Sequence, residues 1–239
     1  MDSLSSRDRP SQMSQFASRD QISNLDRLAM EDFGLDILQM MEIAGSSFAH
    51  IVKEYLKDLN HKHILILSGV GNNGGDGLAA TRYLANWGAE VKVILAKADL
   101  KPASKHQLAI LGKMRVEFAV SPVKLLQADL IIDALLGYNQ VGNPRPPYDD
   151  LISQANELKV PIFAFDNPSG LDIETGNPTK PTIKAQTTIT LAAVKKGLIA
   201  QNAKDYVGKL HLVDIGIPEL AYKKAGLEYP FTDSENERV

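Results

Sequence analysis

Three places in the chain hold residues able to do chemistry. Gly69-Val-Gly-Asn-Asn-Gly-Gly-Asp-Gly77 carries the pattern G-x-G-x-x-G at Gly69, Gly71 and Gly74. It follows an Ile- and Leu-rich stretch and precedes a helical one, the setting in which such glycines let backbone N–H groups approach a phosphate. Asp133 interrupts Leu130-Ile-Ile-Asp-Ala-Leu-Leu136, and Asp166 ends Ile162-Phe-Ala-Phe165 before Asn167-Pro-Ser-Gly170. A carboxylate in such apolar surroundings is costly unless it meets a cation, a donor or a proton.

What the glycines lack narrows their use. A nucleotide-hydrolysing P-loop needs Lys followed by Ser or Thr after its last glycine, and this chain has Asp76-Gly77. A dinucleotide fold puts an acid at the end of its second strand for the ribose hydroxyls, where this chain has Ala96-Lys97. Asn72, Asn73 and Asp76 give the segment polar side chains suited to specific recognition. The irregular loop from Gly137 to Pro147 follows the Asp133 strand and is placed to cover a site, since long loops in compact domains are often functional.

These residues need a scaffold that brings them to one edge. From His63 onward, short apolar runs alternate with helical stretches, which predicts an α/β domain of parallel strands joined by crossover helices. Strands are expected at 64–68, 91–96, 116–120, 130–135, 162–165, 187–191 and 210–213. The clearest crossover helix is expected over 77–87, closed by Gly88, and another over 149–159, closed by Pro161. Two helices parted by Gly34 precede the sheet, and Trp87 reads as core. In open parallel sheets the ligand crevice lies at the carboxyl ends of the strands, so Asp133, Asp166, Lys97 and the glycine segment should share it. Asp172 reads as a turn residue.

With 239 residues, 44% hydrophobic and 23% charged, the chain is expected to form one domain over 18–239 behind a flexible tail over 1–17. A net charge of -3 with no basic stripe excludes a nucleic-acid binder, and no apolar run is long enough to span a membrane. The tail has Ser and Arg but also Asp2 and Asp8, unlike a transit peptide, so a cytoplasmic location is expected. Absence of cysteine rules out disulfides and thiolate chemistry. The five histidines lack metal-ligand spacing, so no transition-metal site is expected.

Together, Leu25-Asp-Arg-Leu-Ala29, Met41-Glu-Ile-Ala-Gly45, Gly71-Asn-Asn-Gly-Gly-Asp-Gly77, Asp133-Ala-Leu-Leu-Gly137, Asp166-Asn-Pro-Ser-Gly-Leu-Asp172, Thr188-Ile-Thr-Leu191 and Lys196-Gly197 resemble the YjeF N-terminal family, the NAD(P)H-hydrate epimerases. The resemblance runs from about Ser18 to Gly216. It departs at Tyr138-Asn139, where the family often has Thr-Gly, and at Asn167, where a hydrophobic residue is common.

The resemblance implies a Rossmann-like three-layer α/β/α fold with a mostly parallel sheet, usually in a homodimer. The implied substrate is NADHX or NADPHX, a nicotinamide cofactor hydrated at C6 of its ring, whose R and S epimers are interconverted. Carried over by position, Asn72, Asn73, Gly74, Gly75, Asp76, Gly137, Tyr138, Asn139, Gln140, Val141, Gly142, Asn143 and Asp166 contact the hydrate. Asn73, Asp133 and Ser169 hold a potassium ion. Asp166 is the expected proton-transfer group and Lys97 orients or protonates the leaving oxygen. The implied partner is a separate NAD(P)H-hydrate dehydratase. Two other readings compete: a catalytically silent domain used for dimerisation or protein binding, and an NADP-dependent oxidoreductase with Lys97 on the 2′-phosphate. The second lacks a Tyr-x-x-x-Lys pattern.

Overall fold

The computed structural model describes residues 13–231. Seven strands form one sheet: β1 His63–Ser68, β2 Glu90–Leu95, β3 Glu117–Val120, β4 Leu130–Ala134, β5 Ile162–Phe165, β6 Thr187–Leu191 and β7 Lys209–Val213. Their order is β3-β2-β1-β4-β5-β6-β7, and every pairing is parallel. The strand order therefore reverses between β1 and β4, the switch point where open α/β sheets bind ligands.

The strands are apolar on both sides because helices cover both. Ile64, Ile66, Leu130, Ile132, Phe163 and Phe165 enter one core. Their alternates Leu65, Leu67, Ile131, Ile162 and Ala164 enter the other. The helices are α1 Arg19–Arg27, α2 Ile37–Leu56, α3 Asn72–Asn86, α4 Pro102–Lys113, α5 Tyr148–Glu157, the single turn α6 Lys204–Val207, and α7 Glu219–Lys224. Helices α2 and α3 pack on the first face, and Leu151, Ile152 and Ala155 of α5 on the second. The Rossmann-like three-layer architecture is thus present, with a sheet that is wholly parallel. No helix of the described residues is long and apolar enough to cross a membrane.

The local chemistry explains the helix ends. Ser18 and Gln21 form a reciprocal capping box on α1, and Asp36 accepts from the Leu38 N–H at 2.7 Å at the start of α2. Gly34 separates the two with φ +72, after a π-helical turn over Leu28–Asp32. Asp172 is a turn residue, its Oδ1 accepting from the N–H groups of Glu174 and Thr175.

Three expectations are corrected. Helix α3 begins at Asn72, not at 77, so most of the glycine segment is helical. Its glycines permit contact: a Cβ on Gly74 would lie 2.0 Å from the Gly69 carbonyl oxygen, and one on Gly77 2.5 Å from Ala134 Cβ. Trp87 lies at the edge of the core, half-buried beneath Lys53, whose Nζ is 4.8 Å from its ring centre. Of the expected tail, residues 1–12 lie outside the described residues, but Ser14 N–H already bonds Gly226 O and Ala17 N–H bonds Val194 O at 2.8 Å.

Candidate functional site

A cavity of about 580 Å³ opens at the carboxyl edge of the sheet. Its walls come from the ends of six elements: Val70 and Gly71 after β1, Lys97 after β2, Leu135 to Gly137 after β4, Asp166 after β5, Leu191 and Ala192 at β6, and Ile215 after β7. Met40, Met41 and Ala44 of α2 supply apolar wall, and Ile22 and Asp26 of α1 close one side. Its size and mixed lining suit an organic ligand with a few specific polar contacts.

Asp166 is set by an unusual backbone. It has φ +64, and Asn167 N–H bonds Phe165 O at 2.8 Å, so the strand ends in a tight three-residue turn with a non-glycine at its centre. Ala192 repeats this at the end of β6, with φ +62 and Ala193 N–H on Leu191 O at 2.7 Å. Such conformations cost about 1–3 kcal/mol each and cluster at functional sites. The paired turns bring the side chain of Asp166 to that of Lys195, which is 1% exposed. Lys195 Nζ donates to Asp166 Oδ1, to Thr190 Oγ1 and to Leu191 O, the last two at 2.9 Å, so its three protons are used. Asp166 Oδ1 also accepts from Leu191 N–H at 3.2 Å. Every bond to Asp166 from the described residues falls on Oδ1, which leaves Oδ2 for a ligand.

Two more carboxyl groups border the cavity. Asp76, buried on α3, accepts no hydrogen bond from the described residues. Burial first, then the carboxylates of Asp166 and Asp26, push it well above the usual carboxylate range. Asp26 accepts from the Tyr138 hydroxyl at 2.8 Å. Burial raises it, the Tyr138 bond opposes the rise, Asp166 adds to it and Lys195 opposes it. Burial and Asp26 in turn hold the Tyr138 phenol in its protonated form.

Asp133 lies behind the cavity wall, fully buried. It accepts from Ser169 N–H at 2.8 Å, Ser169 Oγ at 2.7 Å and Leu135 N–H at 3.2 Å. Burial still pushes it up to about 6 against those three bonds. Ser169 Oγ accepts from Leu136 N–H at 2.9 Å. Asn73 packs against the next residue, where a Cβ on Gly137 would lie 3.2 Å from its own Cβ. Both polar atoms of the Asn73 side chain are buried without a partner among the described residues. The orphaned amide packed against Gly137, with the buried Asp133 carboxylate, the Ser169 hydroxyl and the Leu136 carbonyl at the same end of β4, offers hard oxygen donors of the kind that suit a hard cation. No group of three or more His, Cys, Asp or Glu side chains arranged for a metal occurs among the described residues.

The remaining expected residues divide by position. Asn72, Tyr138, Asn139, Gln140, Val141 and Asn143 line the cavity, and Gln140 ties its loop down by accepting from Gly170 N–H at 2.8 Å. Gly74, Gly75 and Gly142 do not line it. Gly74 and Gly75 are buried inside α3, where a Cβ on Gly75 would lie 2.6 Å from Met41 Cε. Lys97 is exposed on the rim, its Nζ 5.7 Å from the Tyr148 ring centre, near Lys101 and Arg145. The lysine that meets Asp166 is Lys195.

Lys195 and Asp26 escaped the sequence reading, although both left a signal. Asp26 falls on the apolar stripe formed by Ile22 and Leu25 of α1 and Ala29 just after it, where an acid is out of place. Lys195 follows Ala192-Ala-Val194 at the mouth of a buried strand, while its neighbour Lys196 is exposed.

Comparisons with known proteins converge. The model of the YjeF-related protein N-terminus matches residues 37–197. An NAD(P)H-hydrate epimerase of Dehalogenimonas lykanthroporepellens is 38% identical over 209 residues, covering 85% of this chain and 83% of that protein. A bifunctional NAD(P)H-hydrate repair enzyme of Leishmania major is 38% identical over 213 residues, 86% of this chain but 36% of its own length. The crystal structure of a yeast protein shares the fold, with TM-score 0.80 and 22% identity over 95% of this chain and 99% of that one.

Proposed function

The chain belongs to the family of the YjeF-related protein N-terminus, and from that premise we propose that it interconverts the R and S forms of hydrated NAD(P)H. It is an isomerase of nicotinamide cofactor repair. The observation that carries the reading to individual atoms is Asp166, a cavity-lining residue anchored through Oδ1 by Lys195 and Leu191 N–H while Oδ2 takes no bond from the described residues.

C6 of the hydrate bears both a hydroxyl and the ring nitrogen. Departure of the hydroxyl oxygen as water leaves an iminium cation, and water returning to the other face inverts the centre. Asp166 faces the developing cation and takes a proton from the incoming water. The apolar wall from α2 strengthens that interaction by excluding bulk solvent. Lys97, with Lys101 and Arg145 on the rim, suits the phosphates of the substrate better than a buried hydroxyl. Asn72, Asn139 and Gln140 supply polar contacts along the wall.

The test uses mixed epimers and a dehydratase that consumes only the S form. Complete consumption, far faster than spontaneous epimerisation, is the expected result. A halt near half, followed by slow drift, would mean a domain that binds without catalysis. In this reading the chain acts as a homodimer beside a separate dehydratase, a pairing of activities that the bifunctional name of the Leishmania relative supports.

Asn73, Asp133 and Ser169 would hold potassium, whose charge would neutralise Asp133 and fix the Gly137 loop against α3. This gives a pH dependence with a definite sign. In a cation-free protein, raising Asp133 to about 6 means that the folded state binds its proton more tightly than the unfolded chain does. Stability from this group is then lost as pH rises through about 6, and a cation that ligates the ionised form restores it. Potassium is expected to raise the melting temperature, relative to a bulky organic cation, more at about pH 7.5 than at about pH 5. Equal gains at both pH values, or none, would count against the site.

A further inference from the structure

Epimerisation through loss of the hydroxyl needs two groups of opposite character at one carbon, a donor for the departing oxygen and a base for the arriving water. The cavity holds carboxyl groups in sharply different surroundings. Asp166 meets the Lys195 ammonium and a backbone N–H. Asp76, reaching the same cavity from α3, meets neither. It is the fifth residue of α3, which starts at Asn72, so it lies past the first turn whose free N–H groups favour an anion. The charged and titratable groups that share the cavity with it are Asp166, Asp26, Lys195, Tyr138, Tyr148, Lys97, Lys101 and Arg145. The cation among them that is buried has all its protons committed to Asp166, Thr190 and Leu191. The three on the rim, Lys97, Lys101 and Arg145, are exposed. Helix α2 turns only Met40, Met41 and Ala44 to the cavity beyond Ile37 at its start.

We infer that Asp76 is the proton donor to the departing C6 hydroxyl, an assignment that rests on the epimerase reading. The Asp76 carboxylic acid gives its proton to the hydroxyl oxygen. The C6–O bond breaks with its electron pair on oxygen, water leaves, and the ring nitrogen lone pair closes the C=N bond. Water then adds to C6 from the other face and the C=N pair returns to nitrogen. The released proton goes to Asp166, and exchange with solvent restores both carboxyl groups. The reverse epimerisation uses the two in exchanged roles. Two carboxyl groups held in such different surroundings, one bonded to an ammonium and one with no bonded partner among the described residues, are the usual mark of such a division of labour.

Two measurements test the assignment. In infrared spectra of the full chain in heavy water near neutral pH, subtracting Asp76→Asn from wild type should leave the C=O stretch of a protonated carboxylic acid. Any band from Asp133 is common to both samples and cancels in the difference. In steady-state turnover of the single R epimer, Asp76→Asn should lower kcat about 100-fold or more with KM changed less than about threefold, and should lose the alkaline fall of the kcat profile. A wild-type kcat in the variant, or a loss confined to KM, overturns the donor role and leaves Asp76 a binding contact. An active wild type without the difference band overturns the donor role alone. A wild type that has the band and does not epimerise overturns the epimerase reading and the donor role with it.

Discussion

Asp166→Asn lowers kcat for epimerisation about 10²–10⁴-fold, the span typical of losing a positioned acid–base group, and leaves the protein folded. The amide keeps an oxygen where Oδ1 accepts from Lys195 and Leu191 N–H, so the anchoring bonds survive, but the charge and basicity of Oδ2 are lost and the buried Lys195 ammonium loses its counter-charge, which leaves the variant folded but less stable than wild type. An iminium forming in the cavity then faces a neutral amide, and the returning water has no carboxylate to receive its proton. The measurement is conversion of one pure epimer followed by chromatography, with the far-ultraviolet circular dichroism and the melting curve of the same sample. Wild-type turnover in a folded variant would remove Asp166 from the chemistry. A variant that has unfolded is separated from that outcome by the melting curve.

Lys195→Met is expected to destabilise the protein by about 3–5 kcal/mol, the usual cost of removing one partner of a buried ion pair. The side chains of Lys195 and Asp166 are 1% and 8% exposed, so neither regains its hydration when the other is lost. Methionine fills the space of the lysine stem, which confines the loss to the charge and to three hydrogen bonds, two of them on Thr190 Oγ1 and Leu191 O. The Asp166 carboxylate would then lack a cation while Asp76 and Asp26 stand nearby. Urea unfolding curves measure the loss as a lower midpoint. The double variant with Asp166→Asn should unfold closer to wild type than the sum of the single effects, because the uncompensated charge is gone. Strict additivity would mean that the pair contributes nothing beyond its separate side chains.

The strands were legible because β1, β4 and β5 are apolar on both faces and bounded by turn residues, a pattern that depends on neither partner nor register. Asp133 and Asp166 were legible for the converse reason, as charges set into apolar runs. The start of α3 was not. Gly74, Gly75 and Gly77 suggest a flexible turn until the Gly69 carbonyl, Met41 and Ala134 are known to press against them. Only tertiary contact reveals that they are small rather than bent. The partner of Asp166 was equally hidden: Lys195 is 29 positions away, brought in by positive-φ turns at Asp166 and Ala192, the second a residue type that gives no local hint of positive φ.

The strand order β3-β2-β1-β4-β5-β6-β7 also dictates when the cavity comes into being. The first half of the sheet carries Asp76, the second carries Asp166 and Lys195, and the two halves join only along the β1–β4 seam. The segment ahead of α1 then pairs with the loop of Lys195, through Ala17 N–H on Val194 O and Lys196 N–H on Ala17 O, and α1 brings Asp26. Contacts so distant in sequence form late, because loop closure precedes their reward. During synthesis, an emerging chain that has completed β1 to β3 has Asp76 in place on its sheet but neither Asp166 nor Lys195, and so no site. The early amino-terminal segment waits for residues near 195, which makes the assembled cavity a marker of the last stage of folding.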